Sequence, residues 1–162
     1  MATTTATITL ASSDIADNAL SISNTATLTT AGTDTGITET SGLARKKTSS
    51  GSNTVLIDSD AGIGVDITAD KSAKVYIKNT STHTDKYALI GIGEATGTPI
   101  YMGRLYGGDW MLFPWGALLT DGDGYAASVS DGGTAGQANN MDITIKMNDA
   151  TETVIEYMVF FE

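Results

Sequence analysis

Apolar residues in this chain recur at every second position and nowhere keep the three-and-four spacing of a helix over three turns, and this pattern constrains the fold most. A period of two sends successive side chains to opposite faces of an extended backbone, so each such run specifies a half-buried strand. In Lys74-Val75-Tyr76-Ile77-Lys78, Val75 and Ile77 take one face, and both lysines with Tyr76 take the other. In Asp142-Ile143-Thr144-Ile145-Lys146-Met147, the residues Ile143, Ile145 and Met147 are expected to point inward. Tyr87-Ala88-Leu89-Ile90-Gly91-Ile92 is apolar nearly throughout, as in a strand covered on both faces, and residues 153–161 read as a long strand central to a sheet. Further strands are expected over 53–58, 99–105, 110–115 and 125–129. Pro114 lacks a backbone donor, which predicts that its strand lies at a sheet edge or stops there.

Punctuation supports the same reading. The chain has 18 Gly but only 2 Pro, so its turns are made by Gly, Asp and Asn, residues that tolerate positive φ and close hairpins. Gly107-Gly108-Asp109 is one such turn. The expected architecture is all-β, an antiparallel β-sandwich or jelly-roll carrying an extended N-terminal arm. Residues 1–51, rich in Thr, Ser, Ala and Gly, form that arm, and residues 52–162 form the sandwich body. The arm's alternating runs, Thr7-Ile8-Thr9-Leu10, Leu20-Ser21-Ile22 and Ala26-Thr27-Leu28-Thr29, each offer few large apolar side chains. A two-stranded ribbon of that kind is marginal in water, so the arm is expected to add strands to the body, a neighbouring subunit or a host surface.

Charge and composition exclude several function classes. At 162 residues one domain can bury a sufficient core without disulfide or cofactor, and none is expected. A net charge of −10 disfavours nucleic acid and anionic membrane surfaces, because both attachments depend on Lys and Arg displacing counterions. No stretch approaches the roughly 20 apolar residues of a membrane span, and the first residues lack a cationic region and a signal-length apolar run. A chain made soluble in the cytosol is the expectation. With no Cys and a single His, thiolate and transition-metal sites are improbable.

Candidate chemistry is sparse. Asp121-Gly122-Asp123-Gly124 begins like a calcium loop, but Ser130, Asp131 and Gly132 stand where the distal bidentate Glu belongs, so a tight turn is the better reading, as it is for Asp58-Ser59-Asp60. His83 lies in a polar stretch with Ser81 and Asp85 and has no nucleophile elbow near it. Glu94, Asp109, Glu152 and Glu156 could supply a glycosidase pair, which would also need a sugar-stacking cleft. Trp110 and Trp115, five apart in a strand, point to opposite faces and give no single platform. Gly107-Gly108 and Gly132-Gly133 precede no Lys-Ser/Thr pair and cradle no phosphate. No enzyme is expected. The one basic cluster, Arg45-Lys46-Lys47, is either a solvated face or a docking contact for an acidic partner.

Lys74-Val75-Tyr76-Ile77-Lys78-Asn79-Thr80-Ser81, Gly103 through Met111 with Phe113-Pro114-Trp115, and the closing Ile155-Glu156-Tyr157-Met158-Val159-Phe160-Phe161-Glu162 resemble small virion structural proteins of marine tailed phages, cyanophages among them. Ala26 to Gly32 and Gly42 to Lys47 look similar too, while the Gly-rich stretch 116–140 departs from the pattern. The resemblance implies a β-sandwich or jelly-roll on the virion, with capsid decoration, head-fibre and tail roles all represented, and it carries no catalytic residues. The expected function is a capsid decoration, or cement, protein that stabilises the assembled shell as a homo-oligomer, with a trimer expected, on the capsid surface. Its partners would be other copies and the major capsid protein or another virion protein. Arg45, Lys46 and Lys47 would dock, and Trp110, Phe113 and Trp115 would anchor a subunit contact, since Trp and Arg are over-represented among interface hot spots. The alternative is a tail- or fibre-associated receptor module stacking host glycans on Tyr101, Tyr106 and Trp110.

Overall fold

The computed structural model of the protein describes residues 4–13, 20–29, 36–37, 39–49, 52–57, 73–93, 98–115 and 142–161. Among them every regular element is a β-strand: β1 (Thr4–Ser12), β2 (Leu20–Leu28), β3 (Glu39–Thr40), β4 (Ala44–Thr48), β5 (Thr54–Ile57), β6 (Ala73–Asn79), β7 (Tyr87–Ile92), β8 (Ile100–Tyr106), β9 (Trp110–Trp115), β10 (Ile143–Met147) and β11 (Thr153–Phe161). All pairings between strands are antiparallel. No helix among the described residues is long and apolar enough to cross a membrane. The strand expected at 125–129, the Gly-rich stretch 116–140, Asp58-Ser59-Asp60, Glu94 and the Asp121–Gly124 and Gly132–Gly133 motifs lie outside the described residues.

The strands form three sheets. A four-stranded sheet runs β5-β10-β7-β8, a five-stranded sheet runs β3-β11-β6-β9 with β4 also on β11, and β1 pairs with β2 alone. The first two enclose one core in the arrangement of a β-sandwich. Leu56, Ile57, Ala88, Ile90, Leu105, Ile143, Ile145 and Met147 from one sheet meet Val75, Ile77, Trp115, Ile155 and Val159 from the other. Val75, Ile77, Ile143, Ile145 and Met147 are inward as the period of two assigns, whereas the adjacent Leu56 and Ile57 are both buried. Each fully buried Ile or Val contributes about 1.5–3 kcal/mol, so this shared cluster is the main source of stability.

The long apolar strand β11 is central, flanked by β6 on one side and by β3 and β4 on the other. Pro114 sits in β9, which among the described residues pairs only with β6 and forms the sheet's edge, where a missing backbone donor costs no ladder bond. Strand β10 departs from simple alternation. Thr144, between the inward Ile143 and Ile145, is also fully buried, and its Oγ1 has no hydrogen-bond partner. The cause is Gly91 directly opposite. With no Cβ there, Tyr101 and Pro99 close over the outer face of the sheet, since a Cβ on Gly91 would lie 3.0 Å from Pro99 Cβ and from Thr144 Oγ1 and 3.1 Å from Tyr101 Cδ1. Tyr101 is held in place by its hydroxyl, which donates to Asn53 Oδ1 at 2.6 Å.

Asn79 closes one end of the sandwich. It is fully buried at the end of β6, and its Nδ2 donates to the carbonyls of Leu105 (3.0 Å) and Lys86 (3.2 Å) while its Oδ1 accepts from the Ser81 amide (3.0 Å). Its backbone is bonded to the β8–β9 corner, donating to Asp109 O and accepting from Gly108 N. That corner passes so near the next loop that a Cβ on Gly107 would stand 2.1 Å from the His83 carbonyl oxygen, so only glycine fits.

Residues 39–48, in the segment expected as an arm, lie in the five-stranded sheet beside β11. β1 and β2 stand apart in a nine-pair hairpin with Thr4 opposite Leu28 and Ser12 opposite Leu20. Lys74 Nζ donates to Thr29 O at 2.9 Å, tying the root of the hairpin to β6.

Candidate interaction surface

The outer face of the five-stranded sheet gathers residues from all five strands by register alone. Arg45 lies opposite Glu156, Glu156 opposite Lys78, and Lys78 opposite Trp110, which makes one transverse row from β4 to β9. The next row is Met158, Tyr76 and Leu112, and the one after it is Thr40, Phe160, Lys74 and Pro114. Directly paired residues share a side of the sheet, so these side chains form a single surface.

This surface is both apolar and cationic. Tyr76, Leu112, Met158 and Phe160 are half-buried against one another, and Trp110 is 50% exposed. The Trp110 and Tyr76 rings are 6.4 Å apart and tilted by 33°. Burial first, and the nearby Glu156 carboxylate second, push the Tyr76 phenol above its ordinary value. Arg45 meets Glu156 Oε2 through Nε at 3.0 Å and Nη2 at 2.9 Å, and Lys47 pairs with Glu152 at 3.1 Å. These are surface pairs worth about 0–1 kcal/mol, so they orient the cations more than they stabilise the fold. Arg45, Lys47, Lys74 and Lys78 are four of the chain's nine Lys and Arg, and among the described residues Glu152 and Glu156 are the acids beside them, on a protein of net charge −10.

The six residues expected at an interface divide into two sets. Arg45, Lys47 and Trp110 are on this surface, with Arg45 and Trp110 at the two ends of one row. Lys46, Phe113 and Trp115 face inward. The period of two that exposes Arg45 and Lys47 turns Lys46 to the other side, where its ammonium donates to the Val55 carbonyl and closes the edge of the sandwich. In the same way Trp110 is outside while Phe113 packs against the core and Trp115, 3% exposed, belongs to it. Neither of these two aromatics is a surface anchor.

Lys74, Tyr76, Lys78, Leu112 and Met158 were not foreseen as surface residues of one site. The available signal was in β11, where apolar residues occupy both parities, so one set had to be left on the face away from the core.

Tyr101, Tyr106 and Trp110 do not form the common stacking surface that the glycan reading needs. Tyr101 and Tyr106 are on β8 in the four-stranded sheet, whereas Trp110 begins β9 in the other. Tyr106 is paired instead with Tyr87, centroids 5.4 Å apart, and the Arg104 guanidinium lies 4.8 Å over the Tyr87 ring.

His83 is exposed beside a shallow cleft of about 310 Å³ whose walls include Thr80, Ser81, Lys86, Glu152 and Thr153. Its backbone amide donates to Ser81 Oγ and its carbonyl accepts from the Lys86 amide, which are the bonds of a polar turn. No group of three or more His, Cys, Asp or Glu among the described residues could hold a metal ion. No family model, no curated protein and no solved structure matches the chain.

Proposed function

We propose that this protein is a structural, non-catalytic component of a tailed-phage virion, a decoration protein that lays the outer face of its five-stranded sheet on the acidic surface of an assembled shell. What supports the reading is the row Arg45–Glu156–Lys78–Trp110 with the half-buried Tyr76, Leu112 and Met158 beside it. A half-exposed Trp set among oriented cations has the make-up of a binding hot spot, and its local positive charge opposes the sign of the whole chain. The resemblance to small virion proteins supplies the shell as partner. A protein that binds only the assembled state stabilises it by mass action and requires no reaction.

The experiment is rebinding of purified protein to particles stripped of it, followed by thermal release of DNA. Trp110→Ala is expected to weaken binding by about 30-fold or more, the roughly 2 kcal/mol of a hot-spot truncation. Its fold stability should fall by no more than about 1.5 kcal/mol, the contribution of its ring contact with Tyr76, because the side chain lies outside the core. Unchanged DNA release from stripped particles would refute cementing, and unchanged binding by the variant would refute this face.

A tail or fibre glycan-binding role would rely on separate exposed rings, among them Tyr101, whose hydroxyl donates to Asn53. A glycan array with Tyr101→Ala as control separates the two readings.

A further inference from the structure

The β1–β2 pair is the one described sheet whose strands carry no charge: none of its 18 strand residues, nine in each strand, is Asp, Glu, Lys or Arg, although Asp14 and Asp17 stand in the sequence between the strands. Its two faces are unlike. Thr5, Thr7 and Thr9 lie opposite Thr27, Thr25 and Ser23, and their hydroxyls bond across the pair, Thr7 to Thr25 at 2.9 Å and Thr9 to Ser23 at 3.4 Å. The other face carries Ile8, Leu10 and Ile22, with Leu10 directly opposite Ile22 and Ile8 opposite Asn24, and the three apolar side chains are 43%, 53% and 49% exposed. Only the root of that face is covered. Leu28 and Ile37 are buried there, Ile37 donates to the Leu28 carbonyl, and Gly36 bridges Thr29.

We infer that the Ile8–Leu10–Ile22 face is covered by the same face of a second copy of this chain. The occupant follows from charge. Two chains of net charge −10 repel wherever their charged surfaces meet, and the strands of this sheet, unlike those of the other two described sheets, can be brought together with no ionic side chain of theirs opposed. An acidic or basic partner would find nothing there to pair with, whereas an identical apolar face is complementary to itself, as an isologous contact requires. Nine residues in each strand make a ribbon about 30 Å long, and two such faces stack about 10 Å apart. The face, about 10 Å wide over two strands, covers roughly 300 Å² in projection, less than the roughly 800 Å² per partner of a standard stable interface. The pairing is therefore concentration-dependent in solution and strengthens when copies are held side by side. This goes beyond the proposed docking on a shell, which uses a different sheet.

Light scattering over increasing concentration tests it directly. The mass is expected to rise from 16.8 kDa toward a multiple of it, and the double variant Ile8→Lys/Ile22→Lys is expected to stay at 16.8 kDa at every concentration. A wild-type mass fixed at 16.8 kDa, or a double variant that associates like the wild type, overturns the inference. Because the chain has no Cys, a second test needs no altered apolar pair. With a short bis-maleimide, Leu10→Cys should crosslink between chains at least tenfold more than Thr9→Cys, whose side chain is on the hydroxyl face. Equal yields overturn it.

Discussion

Replacing Asn79 by alanine removes three hydrogen bonds from a side chain with no access to water. Its Nδ2 serves two carbonyls, Leu105 and Lys86, and its Oδ1 takes the Ser81 amide, so one amide group holds β6, β8 and the β6–β7 link together. At about 1 kcal/mol net for each bond, and more where a buried carbonyl is left with fewer partners, the loss is about 3–5 kcal/mol. Set against a total stability of about 5–15 kcal/mol, that is a large fraction. In a chain of this size each kcal/mol corresponds to about 2–4 °C, so Tm should fall by about 6–20 °C. Asn79→Asp keeps the shape and reverses the polarity of one atom, setting a carboxylate oxygen against two carbonyl oxygens. It should be at least as unstable as Asn79→Ala at pH 7 and recover part of the loss in acid, where a protonated carboxyl can again donate to one carbonyl. Urea unfolding at pH 7 and pH 4 measures both. An aspartate variant as stable as wild type at pH 7, or an alanine variant losing less than about 1 kcal/mol, would refute the account of Asn79 as a donor hub.

Thr144→Val should stabilise the protein by about 1 kcal/mol, because it replaces a buried hydroxyl that has no partner with a methyl of the same shape, and a lowered Tm would count against this. Asp149 is held well below the usual carboxylate range first by its bonds to Thr151, whose amide donates at 2.6 Å, and then by Lys86 at 3.0 Å. A carboxyl whose folded pKa is depressed contributes stability above its unfolded value of about 3.9 and loses it as pH falls toward the folded one. The stability gap between wild type and Asp149→Asn should thus be open at pH 7 and narrow as pH falls below about 4. A gap as wide at pH 2 as at pH 7 would contradict the linkage.

Alternation was sufficient to find the strands that hold the core. Val75, Ile77, Ile143, Ile145 and Met147 point inward as their parity requires, and Pro114 marks a sheet edge because any strand lacking that donor must end or lie outermost. These features depend on residues next to one another in the chain, and the geometry of one extended backbone decides them.

Which strands neighbour one another could not be read in the same way. The basic triplet Arg45-Lys46-Lys47 looked like one cluster, yet only β11 as a neighbour turned two of its members to an outer face and the third into the sandwich edge. Nothing local marks Asn79 or Thr144 for burial, which depends on Leu105, Gly91 and Tyr101 from other strands and on Lys86 from the β6–β7 link. The sequence alone determined period, parity and the choice of β over helix, because these are local. The tertiary structure decided the row from Arg45 to Trp110 and every buried polar contact, because pairing partners as far apart as Arg45 and Glu156, 111 residues, are selected by the packing of whole faces.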